Sequence, residues 1–478
     1  MRPMLENLMD SAGARADYAD VRVVSATEEQ IATRNGTLGA AARSQEAGLG
    51  VRVRIGGGWG FAATRHTDRT GAEDALARAL AIAEAQPRAA TVPLAPQPPS
   101  RGEWSSRAEE DPFAVSLEEK LERLLAVDAA MRGDPRIALV SAHFAALHEH
   151  KLFASTDGAL CEQWTTDCGG GISATAIGPE ESQVRSYPAS HDGNAWRAGY
   201  ERFRELDLER AAPRVAEEAI ALLSAPPCPA GRSTLILDGG QLALQLHESV
   251  GHALELDRIL GGEASYAGTS FVSPEDLGRL RYGSELMNVS ADSTTAEALG
   301  SFGWDDEGVP ATAAPLVERG VLRGFLSSRE SAAAIGLERS SGCMRARGFD
   351  RQPVVRMTNV NLAPGDAGTL ADLIAATERG IYMETNRSWS IDSRRLRFQF
   401  ATEAAWEIVD GARGQLLKNP SYAGVTPTFW GGLDAICSQS EWRIWSLLNC
   451  GKGEPGQLMR VSHGTAPARF RDIEIGLS

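Results

Sequence analysis

The chain opens with an apolar stripe at helical spacing, Met4, Leu5, Leu8 and Met9, and then switches to the period of two that a half-buried strand imposes. Residues 20–26 are valine-rich, and residues 30–34 lead into Asn35-Gly36, a dipeptide that closes tight hairpins. Gly50-Val51-Arg52-Val53-Arg54-Ile55 alternates, turns at Gly56-Gly57-Gly58 and returns through Trp59-Gly60-Phe61-Ala62. Helical spacing resumes after Thr70-x-x-Glu73, a capping box that opens a helix with Leu76, Leu80 and Ala83 on one face. Residues 87–112 are rich in proline, serine and charge, without periodicity, and read as an extended surface crossing. Ser116-x-x-Glu119 then caps a second helix whose stripe is Leu117, Leu121 and Leu124.

The order then repeats. Residues 137–142 echo residues 21–26 down to a shared Val-Ser-Ala, residues 151–156 run into Asp157-Gly158 as the earlier strand ran into Asn35-Gly36, and a glycine-rich segment follows in both copies. We infer a duplicated helix-plus-antiparallel-hairpin unit. A helix over residues 212–223, with Pro213 near its first turn, ends at Pro226-Pro227-Cys228-Pro229, which reads as a domain boundary. Beyond it come a strand at residues 233–237, an apolar-periodic run at 242–256, and short strands and turns interrupted by a helical segment near 370–377. The expected fold is α+β: an N-terminal domain over residues 1–225, and a C-terminal β-rich domain over residues 230–478 that carries the run at 242–256.

Composition narrows the classes. The net charge of −15 is spread along 478 residues without a basic stripe, which argues against nucleic acid and against an anionic membrane surface. Six cysteines lack the paired spacing of a disulfide framework or a zinc ribbon, so free thiols and a reducing compartment are expected. No basic-then-apolar leader opens the chain and no apolar run approaches the roughly 18 residues of a membrane span, so a soluble, cytoplasmic protein is expected.

The chemistry concentrates at His247-Glu248-Ser249-Val250-Gly251-His252. Two imidazoles can hold a zinc ion, and the carboxylate beside the first can take a proton from an activated water, which is the equipment of a metallohydrolase. The spacing is i and i+5. On a regular α-helix that places the histidines roughly 140° apart, too far to share an ion, whereas one π-bulge brings them to within about 50°. Gly251 eases such a distortion. A third ligand is required, and Cys343, Cys437, Cys450, His463 and many carboxylates remain open; Cys450 stands out modestly in the turn Asn449-Cys450-Gly451-Lys452-Gly453. His148-Glu149-His150 reads as a polar strand edge, and His66, His143 and His191 carry no role.

Tyr18-Ala19-Asp20-Val21-Arg22, Trp59-Gly60-Phe61-Ala62, the histidine motif, Asp305-Asp306-Glu307-Gly308, Arg356-Met357-Thr358-Asn359, Gly380-Ile381-Tyr382 and Cys450-Gly451-Lys452 together resemble the TldD/PmbA metallopeptidases, on the TldD side that keeps the metal motif. The resemblance runs nearly end to end. It implies that His247, His252 and Cys450 bind Zn2+, that Glu248 is the general base, and that unfolded or extended peptides are hydrolysed. It also implies a dimer, with a PmbA/TldE-like partner subunit or with itself. Two alternatives are a non-catalytic peptide-binding subunit and a zinc hydrolase of another amide. Because no cluster of side chains reads as a specificity pocket, a substrate held by strand addition is expected.

Overall fold

Tyr18–Arg34 (β1) is one long strand whose two faces bury different chemistry: Ala19, Val21 and Ile31 on one side, Asp20 and Arg22 on the other. It pairs antiparallel with Thr37–Ile55 (β2) across Asn35-Gly36, both at positive φ (50° and 80°), the geometry that this dipeptide favours. This computed structural model describes residues 1–86, 92–190 and 193–476. Gly58–Thr64 (β3), Arg101–Ser105 (β4), Ile137–Ser155 (β5), Leu160–Ile177 (β6), Ser182–Tyr187 (β7) and Asn194–Trp196 (β8) complete the N-terminal sheet, in the order β3-β2-β1-β5-β6, with β4, β7 and β8 all on β6. Its centre is the antiparallel β1–β5 pair, from Asp20↔Ser155 to Arg34↔Ser141. The stretch expected to be an extended crossing contains β4, which pairs in parallel with β6; residues 87–91 of it lie outside the described residues.

Helices cover one face of this sheet. Arg2–Gly13 (α1) and Arg69–Ala85 (α2) pack Leu5, Leu8, Leu76 and Leu80 against Val21, Val51 and Leu152, and Leu117–Met131 (α3) and Leu208–Ser224 (α4) pack Leu124, Val127 and Val215 against Ile31, Phe144 and Ile172. Two local readings need correction. Asp68, not Thr70, caps α2, its carboxylate accepting from Gly71 N at 2.8 Å. In α3 the buried stripe is Lys120, Leu124, Val127 and Met131, with Leu117 exposed. Lys120 escapes a pattern search because its ammonium is buried against the Glu29 carboxylate, which removes the penalty of an unpaired charge.

The second face of the sheet is polar, and the C-terminal half of the chain covers it. Lys151 Nζ donates to Asp306 Oδ1 (2.9 Å), Gln163 Nε2 to Trp304 O (3.0 Å), Arg185 Nη2 to Glu384 Oε1 (2.8 Å) and Ser186 Oγ to Glu403 Oε1 (2.7 Å). Beyond Pro229, Gly231–Leu237 (β9), Arg379–Ile391 (β10), Arg397–Val409 (β11), Ser421–Val425 (β12) and Ala468–Ile475 (β15) form a closed circuit, β10-β9-β15-β12-β11 and back to β10. Arg443–Lys452 (β13) and Gln457–Thr465 (β14) make a separate hairpin. Aromatic rings fill the barrel, Phe429 stacked on Phe470 at 4.3 Å between centroids. The fold is α+β with a β-rich C-terminal region, and no described helix is long and apolar enough to cross a membrane.

Candidate metal centre

β9 ends in Asp238, whose carboxylate accepts from Gly240 N (2.9 Å) and Gln241 N (3.1 Å) and so starts the helix Gly239–Leu246 (α5). After Leu246 the helix widens. His247–Gly251 is a π turn in which His252 N donates to His247 O, and His252–Leu254 tightens into a 3-10 turn. The i and i+5 imidazoles therefore meet, with ring centroids 4.7 Å apart and planes at 80°. Widening a turn frees backbone groups, and Ser249 absorbs the cost. Tyr282 Oη donates to Ser249 O at 2.6 Å, while Ser249 Oγ donates to Gln245 O at 2.6 Å and accepts from Trp430 Nε1 at 2.9 Å.

Gly251 serves this turn differently from the sequence expectation. Its φ and ψ of −54° and −65° are helical and available to any residue, so its conformational freedom is not what the turn uses. A Cβ at Gly251 would lie 2.0 Å from Met357 Sδ. Glycine stands here because Met357 packs against the bare backbone of the turn.

Cys450, on β13, completes the group. One ligand atom from each of His247, His252 and Cys450 lies within 4.8 Å of the others, all three residues being buried, and Cys450 Sγ is 3.6 Å from His252 Nε2. The tautomers follow from the hydrogen bonds. His463 Nδ1 is 2.9 Å from Val360 O, which only accepts, so Nδ1 carries the proton and the neutral ring offers a lone pair at Nε2. His247 Nδ1 donates to that Nε2 at 2.8 Å, and His252 Nδ1 donates to Glu255 Oε2 at 2.9 Å. Both Nε2 atoms are left as lone pairs. His463, open on spacing alone as a third ligand, instead orients the first one, and Cys343 and Cys437 are buried thiols outside the group. His148 and His150 on β5 bond Thr166 and Glu162 across on β6.

Charge favours the ligating forms. Burial, then the neighbouring rings and Arg395, holds His247 well below the usual imidazole range; burial, Arg395 and Arg356 do the same to His252. Burial pushes the Cys450 thiol up to about 11 while Arg356 pulls it back, so the thiol ionises readily only when a cation joins it. The buried Arg356 guanidinium donates to Cys450 O, yet its Nε and Nη1 have no hydrogen-bond partner among the described residues. A cation without a counter-charge in a dry interior is costly, and a Cys450 thiolate would supply that charge. Two neutral imidazoles and a thiolate would form a borderline-soft donor set of the kind zinc takes.

The opening beside this group is a cleft of ≈ 380 Å³. Its walls come from α5, from the tips of β10 and β11 (Trp389, Arg395), from β13 between Trp445 and Gly451, and from Pro188, Ala189 and Ser190 of the N-terminal half. Glu248 reaches into it. Its carboxyl is raised by burial and pulled down by Arg395, which donates to Oε2 through Nη1, and by a hydrogen bond from Trp389. Lys452, lowered by burial but raised above its usual value by Glu255, Asp257 and Glu263, holds Glu255 behind His252 with Nζ at 3.0 Å.

Comparison with known proteins decides the lineage. The PmbA/TldA metallopeptidase C-terminal domain matches residues 230–477, domain 1 of the same family residues 19–83 and its central domain residues 110–223. The chain belongs to the PmbA/TldD family. A "Metalloprotease" of Methanothermobacter thermautotrophicus is 30% identical over 97% of this chain and 96% of its own length. A "Zinc metalloprotease TldD homolog" of Saccharolobus solfataricus is 25% identical over 57% of this chain and 58% of its own. TldE from Thermococcus kodakarensis shares the PmbA/TldD fold at a TM-score of 0.75, covering 99% of this chain and 100% of that one at 16% identity. Arg356 falls in a motif that carried the family resemblance, although nothing in its spacing revealed the orphaned guanidinium. Arg395 and Glu255 gave no signal at all. An arginine or glutamate in a loop is ordinary in sequence, and only the fold brings these to the imidazoles.

Proposed function

We propose that the protein is a zinc-dependent peptidase of unfolded, extended peptides, with His247, His252 and Cys450 as zinc ligands and Glu248 as general base. The observation that carries this reading is the convergence of two lone-pair imidazoles and a thiol beside a buried glutamate in a cleft open to substrate. Names of relatives, metalloprotease and zinc metalloprotease, support it. Bound zinc would supply Lewis-acid polarisation and acidify a water. Glu248 takes the proton of the attacking water and returns it to the leaving nitrogen as the C–N bond breaks. His463 and Glu255 keep the two imidazoles aimed, and Arg356 balances the thiolate.

A peptide is read as entering along β13. That strand pairs only with β14 among the described residues, and its register breaks between Leu447 and Cys450 where it borders the cleft. Main-chain hydrogen bonds to such an edge recognise extended backbone with little regard for side chains. The partner is read as a PmbA/TldE-like subunit or a second copy. In support, β2 from Leu38 to Ala47 pairs with β1 alone, leaving a long exposed edge that needs cover. Six free thiols without a disulfide support a reducing, cytoplasmic setting. The reading is tested by zinc content and casein cleavage in wild type and Glu248→Ala: metal retained with activity lost supports it, and unchanged cleavage refutes it. A substrate protein cleaved only after a destabilising core mutation supports strand recognition; equal cleavage of native and destabilised forms overturns it.

A further inference from the structure

Arg395 sits at φ +61°, a left-handed conformation that is strained for a non-glycine residue and persists only where surroundings impose it. Here they do. Asp392 accepts from the backbone N–H of Arg394 (3.0 Å), Leu396 (2.9 Å) and Arg397 (3.0 Å), and Thr426 Oγ1 donates to Arg395 O at 2.8 Å. Phe271 N–H donates to Arg394 O at 2.8 Å and Thr269 N–H to Ser393 O at 3.0 Å, so the β10–β11 turn is clamped from a second loop. The strain holds one side chain over the cleft. Arg395 Nη1 donates to Glu248 Oε2, its Nε has no hydrogen-bond partner among the described residues, and the residue lines the cavity beside His247 and His252.

Stability does not account for that placement. Arg395 lies close enough to Arg258 to disfavour the second guanidinium's charge. A fixed cation next to a site that receives a dication works against metal binding. It becomes favourable when negative charge appears in the cleft.

Resting on the peptidase reading above, we propose that Arg395 is a catalytic residue that holds the Glu248 carboxylate in the resting site and then carries its charge to the oxygen of the scissile carbonyl. The electron and proton count requires such a transfer. As the water oxygen bonds to the carbonyl carbon, its proton moves to Glu248, and the π pair of the C=O bond moves to the carbonyl oxygen. The single negative charge thus leaves the carboxylate and appears on the substrate. Arg395 lies beside the site of departure, and it lines the cleft in which the carbonyl oxygen would lie. Protonated Glu248 no longer attracts it strongly, so the guanidinium turns to the oxyanion without a new charge entering the site. When Glu248 gives its proton to the amide nitrogen and the C–N bond breaks, the carbonyl re-forms and the ion pair with it.

The experiment compares wild type, Arg395→Gln and Arg395→Lys as zinc-loaded full-length protein on an unstructured peptide. Two further measurements are zinc content and binding of a phosphinic peptide, which mimics the tetrahedral anion. In Arg395→Gln the expectation is a fall in kcat of about 100- to 1,000-fold, KM and zinc content within about threefold of wild type, and phosphinic peptide binding weakened by a factor comparable to the fall in kcat. Binding of the uncleaved peptide to Glu248→Gln should not change when Arg395→Gln is added. Arg395→Lys should recover part of both losses, which a merely structural pair would not give. Three results overturn the proposal: kcat retained within about threefold; kcat lost with phosphinic binding unchanged, which would make Arg395 only an orienter of Glu248; or loss only of a preference for free over amidated peptide C-termini, which would place Arg395 on the end of the peptide. Failure of the peptidase reading is distinct, because zinc-loaded wild type and Glu248→Gln would then be equally inactive on peptides, and both readings would fall.

Discussion

Replacing His463 by phenylalanine isolates how the first imidazole is aimed. The exchange keeps a planar ring of similar size in a buried position and deletes two hydrogen bonds, 2.8 Å from His247 Nδ1 and 2.9 Å to Val360 O. In the metal-free protein it strands a buried N–H and a buried carbonyl, each worth about 1 to 3 kcal/mol. With zinc the further loss lies in the tautomer. His247 can move its proton to Nε2 to escape the missing acceptor, and that places a hydrogen where the ligating lone pair should be. Partners of this kind account for about 10- to 100-fold in metal affinity, or roughly 1.4 to 2.7 kcal/mol. Competition for zinc against a chromophoric chelator reads the affinity directly, and thermal melting with the metal stripped reads the stability cost separately. Zinc affinity within about twofold of wild type in a folded His463→Phe protein would show that His463 does not set the His247 tautomer, and the chain of proton placements from Val360 inward would be wrong.

Gly251→Ala should destabilise the protein by about 1 to 3 kcal/mol through the clash with Met357 Sδ, and Met357→Ala should recover part of it, with a coupling of about 0.5 kcal/mol or more in denaturant titrations; additive effects would refute the packing account. Arg185→Met should destabilise by about 3 kcal/mol at pH 8 and by less at pH 5.5. Burial, against the pull of Arg185, already raises Glu403 to about 7, so its favourable protonation is complete below its unfolded value and lost as pH rises through 7, and without Arg185 the lone carboxylate is costliest above that window. A penalty independent of pH would contradict this. Saturating zinc should raise the melting temperature of wild type, by about 4 kcal/mol of stability at a thousandfold excess over the dissociation constant; the same response in His247→Ala would move the metal elsewhere. Lysines at Ala42 and Gln45, on the open edge of β2, should convert a dimer to a monomer by light scattering without changing the melting point, and an unaltered mass would send the interface to another surface.

The elements of the N-terminal half were legible because their causes are local. A strand-forming run that leads into Asn35-Gly36 signals a hairpin, and the Ser116 cap bonds Glu119 N at 3.1 Å as its sequence requires. The α3 stripe was misread because the rule sorts residues by type, whereas burial depends on what lies opposite. Lys120 is inside because Glu29 sits across from it on β1. The strand at residues 101–105 was missed because it has no alternation of its own, being an edge added in parallel to β6. Nothing local in Gly231–Leu237 announces a barrel either, since its partners begin at Arg379 and Ala468.

For the metal centre, the limit of the sequence is set by charge rather than by shape. The π turn was readable because i and i+5 histidines admit few other geometries, and His247 and His252 meet as that spacing demands. Cys450 arrives from a hairpin about two hundred residues later and had no geometric claim over the other thiols; what distinguishes it in space is Arg356, a buried cation lacking an anion. The same accounting explains Arg395. Around two neutral imidazoles the fold sets Arg356, Arg395, Arg258 and Lys452, while Glu255, Asp257 and Glu263 satisfy only the last of these together with Arg258. Glu248 is the counter-charge of Arg395, and in the proposed mechanism it is the group that gives up its charge. A site assembled this way is most stable when negative charge resides on Cys450 and on whatever oxygen faces Arg395. In the proposed peptidase, the arginines that no sequence rule selects are therefore the residues through which the fold would favour thiolate ligation and the developing oxyanion.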